Sequence, residues 1–403
     1  MKVKLTELNT GYKGEKRVSR FSEKNRAKTV IAVALIAAFI FTFVLSSVGI
    51  IPVKALFLRA KVGISGNGER FPLSVNTEST LVADVAGDNI IILTTENILI
   101  YSPNGKQLFN QPHIYAKPGI SINGERVVVF DRSGKSFMLI NKDKLIYEGE
   151  AENTILCAEY GSDDNYALGT QGNGATSTLN VYDKLNKNIF QWNCAHEHIV
   201  SIALSDNGRY AGVAVLGAEN GELFTTIQYF GFDYKETLNT QKISGVTPLD
   251  MEFTKFNMLT LLTDKGVYTI ERKADAYESV ASFYSSEFNS CDFSDNGKYI
   301  VTLAKYGSEN VFEINLFSKS GKIKQTISVD FEIKSTRMSD NYIFALGETK
   351  IMVYNLRGTN VSEINYKGEA LTLLPTDDFV FITSLNKITR CFTYGDATIE
   401  LSA

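Results

Sequence analysis

Beyond about residue 80 the hydrophobic positions follow one rhythm. A short, partly apolar run is followed by a turn. A stronger run of β-branched and aromatic residues comes next, then two runs of rising polarity set off by Gly, Asn or Asp. Apolar stretches this short, bounded by such residues, read as strands and not as amphipathic helices. Eight units recur at a spacing of about 40 residues. They open at Val82, Ser121, Leu156, Ser201, Met251, Ser290, Thr336 and Leu371. Four strands per unit at this period predict an all-β fold, a β-propeller. Eight blades are expected, and seven is the alternative if an end unit is a fragment.

The most regular phrase is a turn. "ALSDNGRYAGVAV" (203–215) and "DFSDNGKYIVTLA" (292–304) each set Ser-Asp-Asn-Gly between a first and a second strand. Asn and Asp tolerate left-handed backbone angles and Gly takes them freely, so the phrase is a hairpin corner. Weaker versions stand at 86–89, 123–126, 162–165, 339–341 and 376–378. A calcium loop needs further oxygen ligands and a closing Glu, which neither copy has. The run after the corner ("NIIILTT", "RVVVF", "YIVTLA", "FVFITS") is apolar throughout, as expected of a strand sandwiched between neighbouring sheets. Last runs such as "GKIKQTISVD" are polar, which suits an outer edge. Ring closure requires the ends to meet, so "GERFPLSV" (68–75) is expected to add a strand to the last blade or to pair beside "TIELS" (398–402).

"SDNGRY" (205–210) and "SDNGKY" (294–299) give the domain a pattern that resembles bacterial propellers sharing an Asp-x-Gly-(Arg/Lys)-Tyr corner, relatives of WD-repeat and surface-layer propellers. The whole arrangement also resembles an uncharacterised bacterial family of single-pass membrane proteins with an extracytoplasmic propeller. These resemblances imply a fold and a topology, and no reaction. The Trp-Asp blade endings of WD repeats are absent, so the partner habits of that subgroup do not carry over.

The N-terminus adds the topology. Thr29 to Val53 holds no charged residue. As a helix it would be about 37 Å long, against a hydrocarbon core of about 30 Å. A buried core helix would show a polar face, and a signal peptide has an apolar stretch of only about 7–15 residues. A spanning helix is expected, with cleavage after the small residues Ser46, Ser47 and Gly49 as its rival. Nine Lys or Arg against three acids give residues 1–28 a net charge of +6; the whole chain is −4, so the rest carries −10. The positive-inside rule then puts residues 1–28 in the cytoplasm as a basic tail, 29–53 in the membrane, 54–80 outside as linker and closing strand, and 81–403 outside as the propeller. The tail reads as a lipid-hugging stop signal, or less simply as a docking tail. A mildly acidic bulk argues against nucleic acid as the partner of the large domain.

Candidate chemistry is sparse. The chain has three His, four Cys and one Trp. The densest group is "NCAHEH" (193–198), in which Cys194, His196 and His198 alternate. In an extended segment they would share one face and could hold zinc or copper, though a polar connector with an incidental thiol reads as well. The segment links the third and fourth units. In the propeller families that the chain resembles, such links lie on a top face where ligands often bind. His113 falls in the link between units one and two. Gln171, Asn173, Glu219, Asn220, Tyr306 and Asn310 sit in the hairpin loops expected to open on the same face, and together with His113 they are the candidate ligand-binding residues. Cys157 and Cys291 are too far apart around the ring for a disulfide. No nucleophile elbow, phosphate loop or His-Glu-x-x-His occurs. Asp163/Asp164 and Asp377/Asp378 are corner carboxylates, and a single Trp argues against the quinone-dependent propeller dehydrogenases. The expectation is a membrane-anchored extracytoplasmic propeller that needs no cofactor and binds a protein or envelope ligand as scaffold or sensor. The alternative is a metal-dependent hydrolase or lyase working in the funnel.

Overall fold

The most apolar run of each unit forms the second strand of an antiparallel sheet. In blade 1, Asn89–Thr94 is flanked by Thr80–Ala86 on the inside and Asn97–Tyr101 on the outside. The computed structural model describes residues 70–75, 79–255, 257–273, 276–305 and 311–401. Among them stand eight such sheets, seven of four strands and one of five. The eight-bladed expectation therefore holds over seven. The basic tail, the apolar span Thr29–Val53 and most of the linker lie outside the described residues. Among the described residues no helix is long and apolar enough to cross a membrane.

Each seam between neighbouring blades holds its own apolar cluster. Ile91 and Ile98 of blade 1 meet Val127 and Met138 of blade 2. Leu262 and Val267 of blade 5 meet Tyr299 and Val301 of blade 6. The cluster around Ile90, Ile92, Leu374 and Phe381 joins blade 8 back to blade 1 and closes the ring. Second strands are buried on both faces because both faces are seams; Ile90–Leu93 and Val127–Val129 are at most 1% exposed. Fully burying such a side chain is worth about 1.5–3 kcal/mol, so these seams are the main source of stability.

Closure uses both chain ends. Leu73–Ser74 supplies the fourth strand of blade 8, pairing antiparallel with Lys387–Phe392. Leu73 is buried in the seam with blade 1, and Phe71 stacks on Phe381 at 5.5 Å. The expected strand from 68–75 thus completes the last blade, and it does not pair beside 398–402. The last unit's polar end Ala397–Glu400 leaves blade 8 and runs parallel beside the outer strand Asn360–Lys367 of blade 7. There Leu401 reaches the seam between blades 7 and 8, and its N–H donates to the Lys367 carbonyl at 2.7 Å.

Strand direction alternates, so all first-to-second-strand corners open on one face and all inter-blade links on the other. We call them the corner face and the link face. The corners are closed by their own atoms. Tyr210 N donates to Ser205 Oγ at 3.0 Å, Arg209 N to Asn207 Oδ1 at 3.2 Å, and Gly208 takes φ +64°. At Gly297 (φ +73°) a Cβ would stand 2.6 Å from the Thr254 carbonyl oxygen of the preceding blade, so only Gly fits. The aspartates of these turns act between blades. Ser162 Oγ donates to Asp206 at 3.2 Å, Asn296 N to Asp340 at 3.0 Å, Asn341 N to Asp377 at 3.1 Å, and Arg126 pairs with Asp164 at 2.7 Å. Each bond staples one corner to the next. The recurring phrase is therefore both a turn and a blade-to-blade tie.

Candidate functional site

The inner strands are the least apolar after the outer ones, and they converge on the ring's axis. They are Thr80–Ala86, Pro118–Asn123, Ile155–Tyr160, His198–Leu204, Pro248–Lys255, Glu287–Phe293, Ser335–Met338 and Thr372–Pro375. Two cavities lie along them. One of about 850 Å³ opens toward the link face and reaches Leu81, Asp84, Val200 and Asp250. One of about 360 Å³ opens toward the corner face and reaches Asp206, Lys255, Asp295 and Lys319. Both touch Ile122, Glu159, Met251 and Glu252, so they are successive compartments of one bore.

The bore is acidic. Glu159 accepts from Ser121 Oγ at 2.5 Å and from Asn123 Nδ2 at 3.3 Å, yet burial pushes its pKa up to about 8. Burial also raises Asp250, and raises Glu252 well above the usual carboxylate range, with the charges of Asp250 and Glu159 adding to the effect on Glu252. Asp295 rises to about 6, through burial first and then the Asp340 charge. Asp250 and Asp295 are open to bore water although protein surrounds them on every side, so their environment is that of a narrow wet channel and not of a dry core. Arg337 is the structural counter-charge. Its Nη2 lies 2.7 Å from Asp84 Oδ1 on blade 1 and its Nε 3.2 Å from Asp292 Oδ2 on blade 6. Met338 N also donates to Asp292 at 2.7 Å. Burial nonetheless carries Asp292 up to about 7 against the pull of the guanidinium. Arg337 thus clamps three blades across the axis, with blade 8 lying between two of them.

The rim of the two mouths differs. Among the described residues fourteen large apolar side chains are exposed, and eight of them are on the link face. Leu81, Val200 and Leu249 stand at the link-side starts of inner strands, and Leu371 just before another. Ile114 and Phe283 lie at links, Leu223 and Leu385 at second-to-third-strand hairpins. The other six belong to outer strands and outer turns, so none rims the corner-side mouth.

The residues singled out in the sequence fare differently. Cys194 ends a strand and is buried in the seam between blades 3 and 4, its Sγ donating to Glu197 Oε2 at 3.2 Å. His196 and His198 are exposed, and the chain bends over 195–197, which breaks the alternation that would have put all three on one face. Among the described residues no three of His, Cys, Asp and Glu are grouped to hold a metal ion. His113 is buried and structural. Its Nε2 lies 3.1 Å from the Thr94 carbonyl, its Nδ1 accepts from Tyr115 N at 3.3 Å, and burial lowers its pKa, so the ring is neutral with its proton on Nε2. Gln171, Asn173, Glu219 and Asn220 are exposed in link-face hairpins, with Glu219 paired to Lys242 at 2.6 Å. Tyr306 and Asn310 lie outside the described residues. All four cysteines are free. No local motif announces the bore carboxylates, because each unit contributes only one or two of them. A signal was present: Asp84, Glu159, Glu252 and Asp292 each interrupt an apolar first strand ("VADVA", "LCAEY", "MEF", "CDF").

A family model described as a family of unknown function (DUF5711) matches residues 73–390. No curated protein matches the chain. Among solved structures the chain is similar to a eukaryotic initiation factor, with TM-score 0.55 and 13% identity over 81% of this chain and 88% of that one. It is also similar to BamB from Moraxella catarrhalis, with TM-score 0.48 and 14% identity over 79% of this chain and 98% of that one. A third is Kuenenia stuttgartiensis hydrazine synthase, with TM-score 0.48 and 9% identity over 71% of this chain and 98% of that one. At 13% identity the likeness to the initiation factor shows the fold alone.

Proposed function

We infer a function from geometry, because the chain belongs to DUF5711, a family whose function is unknown: it is a membrane-anchored, extracytoplasmic propeller that binds a protein or envelope ligand as a non-catalytic scaffold or sensor. One observation carries the binding role. Among the described residues the link face concentrates eight exposed large apolar side chains, and the opposite face is tied by hydrogen bonds between its own corners. Apolar groups gathered on one face mark an interaction surface, whereas scattered ones need no explanation. The anchoring rests on the charge-free stretch Thr29–Val53 and the nine basic residues before it.

Photo-crosslinking in cells tests the binding. With a crosslinking amino acid at Ile114 on the link face, a discrete adduct with one partner is expected; with it at Leu185 in an outer turn, none. Equal adducts from both positions, or none from either, would remove the basis of the reading. Protease protection of a C-terminal tag in intact cells tests the topology. Cleavage by external protease is expected, and protection would reverse the orientation.

A further inference from the structure

Two features of the link face sit side by side. The first is the mouth of the acidic bore. The ion pairs formed among the described residues leave Glu159, Asp250 and Glu252 without a cation within 4.0 Å. Lys117 and Arg132 also line this compartment, but four carboxylates outnumber them. The second is a notch of about 180 Å³ at the seam of blades 8 and 1, walled by Leu81, Ala83, Ile92, Leu371 and Ile388, with Thr383 at its edge. Its size suits one large aliphatic side chain. Leu81 lines both cavities, so an acidic hole and an apolar hole adjoin across a single residue.

That pairing specifies an occupant. We propose that the link-side mouth docks an extended segment of a partner protein presenting a lysine or arginine two positions from a large aliphatic residue, so that both point to one side, the cation entering the bore and the aliphatic side chain the notch beside Leu81. Charge complementarity picks the cation: the bore gathers four carboxyl groups with too few cations to pair them, and an entering ammonium or guanidinium favours their charged forms, whereas an anionic group would be repelled. The exposed ring of Val200, Leu249 and Leu371 then covers the flanking residues and excludes water, as the surround of a binding hot spot does. A free small cation would use the bore and leave the notch and ring empty. The proposal rests on the reading of the chain as a binding module, and it names the class of ligand that module takes.

The test uses the full chain in mild detergent and three sets of labelled nonapeptides. One carries Leu-Ser-Lys or Leu-Ser-Arg at its centre, one Leu-Ser-Glu, and one Ser-Ser-Lys. Fluorescence anisotropy should show the first set binding at least tenfold tighter than either of the others. Glu252→Gln and Asp250→Asn should each weaken it several-fold, and Leu81→Ser about tenfold. Asp143→Asn in an exposed outer turn should leave it unchanged. Two aliphatic-face variants, Leu81→Ser and Leu371→Ser, guard against misfolding of either one. Equal binding of the Leu-Ser-Lys and Leu-Ser-Glu sets would overturn the proposal, as would equal loss with Asp143→Asn. So would link-face crosslinks that join two copies of this chain. If the peptides fail while Ile114 still crosslinks a discrete partner, the docking assignment falls and the binding role stands. If the Ile114 crosslink fails as well, both fall.

Discussion

The corner face and the link face are built from the same eight repeats and end up chemically unlike. The corner face spends its polar groups on itself: Asp206, Asp340 and Asp377 each accept a hydrogen bond from the preceding blade's corner. The link face has ties of its own, Asp131 accepting from Ala116 N and Lys117 N and Asp264 from Thr247 N, but it also leaves leucines and a valine in water around an acidic hole. The phrase that recurs most strongly in the sequence is the one with architectural work to do. Recognition falls to positions that do not recur, where no fold constraint holds the residue type in place. Four perturbations separate the two roles.

The largest effect belongs where the faces meet. Arg337→Met removes the only charge that joins Asp84 and Asp292 among the described ion pairs and leaves two carboxylates in the bore. Breaking a buried pair costs about 3–5 kcal/mol; bore water places this one near 3. The urea midpoint should fall accordingly. A loss under about 1 kcal/mol would mean that the bore solvates its carboxylates as an open surface does.

Next come two glycines with similar backbone angles on opposite faces. Gly297 is at φ +73° with backbone packed where a Cβ would go, and Gly174 is at φ +79° with nothing within 4 Å. Left-handed geometry alone costs an L-residue about 1–2 kcal/mol. Gly174→Ala should lie at about 1 and Gly297→Ala beyond about 2 kcal/mol, because the latter must also push Thr254 aside. Equal losses in thermal unfolding would show that the corner is not packed tighter than the link-face hairpin.

Glu159 gives a smaller, pH-dependent effect. Its folded pKa of about 8 lies above the ordinary value of 4.5, so the folded state holds a proton that the unfolded chain releases. Its contribution to stability is therefore present below about pH 4 and is lost as pH rises through 8. Glu159→Gln should stabilise by about 1 kcal/mol at pH 8, discounted for bore water, and by nothing at pH 4. A gain that is the same at both pH values would place the effect in packing and not in charge.

The sequence carried the blades plainly because seam packing writes itself locally. "RVVVF" is apolar at every position whether or not its neighbours are known. Blade count and corner placement follow from that and from Ser-Asp-Asn-Gly. Closure was half visible: Leu73 was expected at the last blade, but the move of Ala397–Glu400 to blade 7 depends on a competition for one sheet edge that no local pattern records. The site was the least legible part. Asp84, Glu159, Glu252 and Asp292 are spread over some 200 residues and meet only because the ring closes, whereas Cys194, His196 and His198 are adjacent in sequence and are turned apart by a bend and a seam. Proximity along the chain was a poor guide because inner-strand positions are brought together by symmetry, about 40 residues at a time.

The smallest effect is the most discriminating for the link face. Leu249 is 44% exposed at the start of an inner strand of blade 5. If it were a half-finished core residue, Leu249→Ser would lose apolar burial and cost more than about 1 kcal/mol. If it is a rim residue waiting for a partner, the unbound protein should barely register the change, staying within about 0.5 kcal/mol of wild type in urea denaturation. Its neighbour Met251 supplies the contrast: at 3% exposed and packed in the seam of blades 4 and 5, Met251→Ala should cost about 2–5 kcal/mol. Two apolar residues separated by one position in the same strand would then differ several-fold in what they do for folding. That difference would leave Leu249's apolar character to be explained by something outside the chain.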